Sequence, residues 1–172
     1  MNYIFAVMDI TPSYCMCDIL ILGCGNILFG DDGFGPRVAE ELERNHDLPE
    51  NTIVINAGSS VRNILFDITL SEKKPKKIII VDAIDAARTP GEIFELSIDE
   101  IPDIKIDDFS MHQLPTSNLL KELKEFCKVD VVIIACQVEK IPEQVTVSIS
   151  NKLKDAIPEV CKRINEMVKT VK

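Results

Sequence analysis

The chain has 172 residues, 46% hydrophobic and 27% charged, with 28 acidic against 19 basic side chains and a formal net charge of −9. That length suits one domain with a sizeable core, and its apolar runs fall far short of the roughly 18 residues a membrane span needs. The lysines are scattered or gathered in the surface-like "EKKPKK" of residues 72–77, so nothing would neutralise a row of phosphates; the expectation is no nucleic-acid partner and no membrane.

The first fifteen residues hold a short apolar segment but lack the cationic start of a secretory signal. Residues 1–17 are read as an unassigned N-terminal extension and residues 18–172 as the domain; Met16 lies just before the first clear strand, so a chain starting there would also look whole. Six cysteines (Cys15, Cys17, Cys24, Cys127, Cys136, Cys161), with no CxxC pair, point to reduced thiols in a cytoplasmic protein.

"DILILG" (residues 18–23) is a compact apolar run ending in glycine, the pattern of a strand covered on both faces. Phe34, Val38, Ala39 and Leu42 then recur at helical spacing with Glu40, Glu41, Glu43 and Arg44 opposite, which predicts a helix over residues 33–46. "TIVIN" (52–56) is a second strand, Val61, Ile64, Leu65 and Ile68 stripe a second helix, and "KIIIVDAID" (77–85) is a third strand. "GEIFELS" (91–97) is half polar and suits an edge strand of open direction. "TSNLLKELKEFC" (116–127) is helical with Leu119, Leu120, Leu123 and Phe126 inward, and "DVVIIAC" (130–136) is another buried strand. Ser150 is placed to cap a last helix striped by Leu153, Ile157, Val160, Ile164, Met167, Val168 and Val171, with Pro158 expected to kink or restart it. Two-faced strands alternating with helices imply a three-layer α/β/α sandwich around a mostly parallel sheet of about five strands.

Ligands of such sheets sit beyond the carboxyl ends of the strands. There the sequence offers Asn26, Asp31 and Asp32 after the first strand, Asn56, Gly58, Ser59 and Ser60 after the second, and Asp82 and Asp85 at the third; "SMHQLP" (110–115) adds His112. "GNILFGDDGFG" (25–35) is not a dinucleotide fingerprint, because Leu28 stands where the third glycine belongs, nor a P-loop, which needs a lysine, nor an EF-hand, which needs a closing glutamate. It reads as a loop that delivers carboxylate. Asp32, Asp82 and His112 would form two carboxylates and an imidazole from three separate connections, a set suited to nickel, zinc, iron or cobalt. Blander readings stand beside it: Asp31 or Asp32 as a helix cap, Asp82 as a turn residue, His112 and His46 as structural histidines, Cys24 as a buried structural thiol.

"ILGCGNILFGDDGFGPRVAEEL", "INAGS", "IIIVDAID", "PGEI" and "SMHQLP", in this order and at these separations, closely resemble the hydrogenase maturation protease family, from about Asp18 to the C-terminal helix. The resemblance implies an α/β/α endopeptidase that removes the C-terminal extension of a [NiFe] hydrogenase large-subunit precursor after nickel insertion, the nickel arriving with the substrate. It carries metal contact onto Asp32, Asp82 and His112, with Asp31 as the more structural member of its pair; other divalent ions would fit the same trio. Asn56 departs from the family pattern, where an aspartate is common, and residues 1–17 have no counterpart in it. A coenzyme F420-reducing hydrogenase is the expected partner. The competing expectations are a non-cleaving nickel-binding hydrogenase assembly factor and an unrelated small-molecule metallohydrolase.

Overall fold

The computed structural model describes residues 11–45, 47–96, 98 and 114–170. Five strands form one sheet in the order β2-β1-β3-β5-β4. These are β1 (Ile19–Cys24), β2 (Thr52–Gly58), β3 (Lys77–Ile84), β4 (Ile93–Leu96) and β5 (Asp130–Gln137). The first, second, third and fifth run parallel, and β4 closes one edge antiparallel to β5. That settles the direction left open for the half-polar edge strand. The central strands are apolar on both faces because both faces are covered: Ile21 sits opposite Val54 on one side and Ile79 on the other.

Among the described residues the α-helices are α1 (Ser13–Met16), α2 (Phe34–Asn45), α3 (Val61–Leu70), α4 (Leu114–Glu125) and α5 (Asn151–Lys169). Alternate residues of the strands divide the core. Leu20, Leu22, Ile78 and Ile80 pack with Val61, Leu65 and Ile68 of α3 and with Leu120 and Leu123 of α4. Ile19, Ile21, Ile79 and Val81 pack with Phe34, Val38 and Leu42 of α2 and with the α5 stripe. Each such side chain fully removed from water contributes about 1.5–3 kcal/mol. The result is the expected three-layer sandwich.

Three local expectations change. Phe126 is 79% exposed rather than inward, because α4 ends at Glu125 and Lys128 then takes a positive φ of 59°. Pro158 does not restart the last helix; α5 runs through it, since Leu153, Ala156, Val160, Cys161 and Ile164 hold both halves on one buried face. Ser150 occupies the N-cap, but its hydroxyl makes no cap hydrogen bond; its backbone N–H is drawn to Asp31 instead. Residues 1–17 are described from Thr11, where Cys15 and Cys17 join the core beneath α3 and the Tyr14 hydroxyl donates to Asp67 on α3 at 2.7 Å. Among the described residues no helix is long and apolar enough to cross a membrane.

The chain leaves β1 by way of α2 for β2 on one side of the sheet and leaves β3 for β4, beyond β5, on the other. Between the carboxyl ends of β1 and β3 the connections therefore diverge, which makes this the topological switch point of the sheet.

Candidate functional site at the sheet switch point

The turn after β1 is held closed by its own backbone. Asn26 accepts the Leu28 N–H on its side chain at 3.0 Å, and the Phe29 carbonyl accepts the Asp32 N–H at 3.1 Å, leading into a short 3-10 turn over Gly30–Gly33. Gly25 has φ of +117°, and a Cβ there would lie 1.8 Å from the Asp32 carbonyl oxygen. Only glycine lets the chain cross itself so closely. Against β2, Gly23 pairs with Asn56 but Cys24 pairs with Gly58, so Ala57 is an extra residue. Such a bulge re-aims the end of a strand, here beside the switch point.

The two adjacent aspartates have opposite environments. Asp31 is 2% exposed, and its carboxylate accepts the backbone N–H groups of Glu139 (2.9 Å), Lys140 (3.2 Å) and Ser150 (2.7 Å). It therefore clasps the connection before α5. Asp32 is half-buried and accepts the Asn26 N–H at 2.7 Å. Burial pushes its carboxyl above the usual range, and that hydrogen bond only partly offsets the effect. Neither carboxylate caps α2, so the blander reading fails for both.

Asp82 lies on β3 opposite Ala135 of β5, is 5% exposed, and accepts the Ala83 N–H at 2.8 Å. It is a strand residue rather than a turn residue. Cys24, at the end of the neighbouring strand, is fully buried; burial first, then the charges of Asp82 and Asp32, hold its thiol well above the ordinary value. The charges of both carboxylates, one in the turn after β1 and one on β3, thus bear on the Cys24 thiol and favour its protonated form. His112 and His46 lie outside the described residues. Among the described residues no group of three histidine, cysteine, aspartate or glutamate side chains is gathered to hold a metal.

The sequence reading passed over Gln137. This buried residue ends β5, accepts the N–H groups of Ala86 (2.8 Å) and Arg88 (3.0 Å), and donates to Asp85 at 2.9 Å, so it holds the loop that follows β3. Its signal was a glutamine terminating an otherwise apolar strand.

The arrangement defines an open α/β domain that brings two buried or half-buried carboxylates to its switch point. The sequence profile of hydrogenase maturation proteases matches residues 36–167. Over 151 residues the chain is 37% identical to the coenzyme F420 hydrogenase subunit delta of Methanothermobacter thermautotrophicus, covering 86% of this chain and 92% of that one. It is 35% identical over 111 residues to the hydrogenase 3 maturation protease of Escherichia coli, covering 64% and 66%. Among solved structures, the E. coli endopeptidase HycI superposes with a TM-score of 0.68 at 27% identity, covering 86% of this chain and 89% of that one. The chain belongs to the hydrogenase maturation protease family and is a peptidase.

Proposed function

We propose that this protein removes the C-terminal extension of a [NiFe] hydrogenase large-subunit precursor once nickel has been inserted, and that Asp32, Asp82 and His112 meet the nickel the precursor carries. The observation that carries this reading is the placement of the half-buried Asp32 in the turn after β1 and of the buried Asp82 on the neighbouring strand β3, where both charges bear on the buried Cys24 thiol. Carboxylate and imidazole suit a borderline divalent cation. A carboxylate whose charge is disfavoured by burial, as at Asp32, gains most when a cation arrives, because the cation reverses the local electrostatics. Nickel on the substrate then serves as the recognition point: contact with the carboxylates sets the scissile peptide beside them, and unloaded precursor is not aligned. The hydrolysis consumes one water, activated by a carboxylate or by the substrate's metal. No resident metal is required, and other divalent ions would compete for the same residues.

The likeness to the coenzyme F420 hydrogenase subunit delta supports a coenzyme F420-reducing hydrogenase as the partner. All six cysteines are free, which suits action in the reducing cytoplasm. The test is to incubate purified protein with nickel-loaded and nickel-free precursor and weigh the products. Loss of a C-terminal peptide from the loaded form alone is expected. Equal cleavage of both removes nickel as the gate, and cleavage of neither favours a non-cleaving assembly factor.

A further inference from the structure

The connection between β5 and α5 exposes Ile141 (40%), Val145 (66%) and Val147 (57%), and the turn after β1 exposes Ile27 (41%) and Leu28 (44%). These two stretches are joined. Thr146 donates its N–H to the Leu28 carbonyl at 2.8 Å and accepts the Gly30 N–H at 2.6 Å, forming a parallel bridge between Phe29 and Thr146. Arg37 of α2 donates to the Val147 carbonyl at 2.6 Å and steadies the far end.

Thr146 thus directs both backbone groups towards the β1 turn. In extended chain the neighbouring residues direct theirs the other way. Among the described residues, the Val145 N–H and carbonyl and the Val147 N–H have no hydrogen-bond partner. What remains is a short open strand edge flanked by exposed aliphatic side chains, the combination that invites pairing with another chain. Beside it opens a cleft of ≈ 470 Å³ lined by Gly30, Lys140, Pro142, Thr146, Ser148 and Ile149.

We infer that this edge receives the precursor as an added β-strand, through the extended segment beside its scissile bond. The inference rests on the proposed function for the identity of the precursor. The occupant follows from continuity with the site: residues 28–30, which pair with Thr146, belong to the same turn that carries Asp32, and the Phe29 carbonyl holds the Asp32 N–H at 3.1 Å. A strand laid along Val145 and Val147 is therefore registered against the carboxylates. Main-chain bonds supply the affinity of such recognition, and a neighbouring cleft that takes one side chain supplies its selectivity.

Val145→Pro deletes the outward N–H, and Val145→Lys charges the edge while leaving the backbone intact. With nickel-loaded precursor, each should raise KM about tenfold at unchanged kcat, the loss of one or two strand hydrogen bonds or apolar contacts. Val145→Thr should restore KM, and Val145→Lys should melt like the wild type. A KM within about twofold of wild type for both variants overturns the inference. Hydrogen exchange gives a reading independent of cleavage: on wild-type protein, nickel-loaded precursor in excess should slow the Val145 and Val147 amides. Slowed exchange with no cleavage by wild type sinks the protease reading but keeps the edge; cleavage with unchanged exchange sinks the edge alone. A wild-type dimer that Val145→Lys splits, without precursor, assigns the edge to a second copy and overturns the inference.

Discussion

Asp31→Ala separates the two aspartates most sharply. The substitution strips the acceptor from three backbone N–H groups, those of Glu139, Lys140 and Ser150, at 2.9, 3.2 and 2.7 Å. Bonds to a charged acceptor contribute about 1.5–3 kcal/mol each, but three terms reduce the sum. The 3.2 Å bond is the weakest and shares its oxygen with another, Glu139 and Lys140 are exposed enough for water to replace the acceptor, and removing a buried charge recovers its desolvation cost. A net loss of about 2–4 kcal/mol remains, which for a chain of this size lowers Tm by roughly 5–15 °C. Asp31→Asn, with a single carbonyl oxygen, should fall between. Thermal melts followed by circular dichroism give the size, and hydrogen exchange gives the place: the amides of Glu139, Lys140 and Ser150 should lose protection before the central strands do. A Tm drop under about 3 °C, or unchanged exchange at those amides, would refute the clasp. So would loss of cleavage in Asp31→Asn with no change in melting, because that is the pattern reserved for Asp32.

Asp32→Asn should abolish cleavage while melting no lower than wild type. Because burial raises the Asp32 carboxyl, its folded state binds the proton more tightly than the unfolded chain does. Its favourable contribution is present below the unfolded value and is lost as pH rises through the folded one. Melts from pH 3 to 8 should show wild type losing ground to Asp32→Asn as pH rises; a gap that is constant or runs the other way would sink the assignment. Gly25→Ala should cost more than about 1 kcal/mol, since alanine resists a positive φ and its Cβ would meet the Asp32 carbonyl at 1.8 Å. Cleavage should fall with it, as the Asp32 turn is displaced, and a melt and activity equal to wild type would contradict the close crossing. Burial, followed by the Asp67 hydrogen bond and charge, pushes the Tyr14 hydroxyl up to about 12. In an ultraviolet pH titration, the absorbance step lost in Tyr14→Phe should lie near that value. Its stabilisation is present below the ordinary phenol range and is lost as pH rises towards 12. A step at the ordinary value would mean that α1 does not dock on α3.

Much of this protein was legible in one dimension. Continuous apolar runs and period-3.6 apolar stripes depend on each residue's own neighbours, so the β1, β2, β3 and β5 runs and the α2, α3 and α5 stripes could be read directly. The different roles of Asp31 and Asp32 came from the family resemblance, since the pattern of the turn alone left either of them as a helix cap. Phe126 was misjudged because helical periodicity does not say where the helix stops, and a restart at Pro158 did not occur because tertiary burial on one face overrode a local breaker. The direction of β4 depended on pairing with β5, which lies beyond the next helix in the chain. Gln137 was missed because its partners lie some fifty residues away in sequence. The sequence by itself determined which residue types reach the carboxyl ends of the strands. Only the tertiary structure decided that Asp31 faces three amide donors from residues 139–150 while the charges of Asp32 and Asp82 bear on the buried Cys24 thiol, because desolvation and hydrogen bonding are set by what the rest of the chain packs around each side chain.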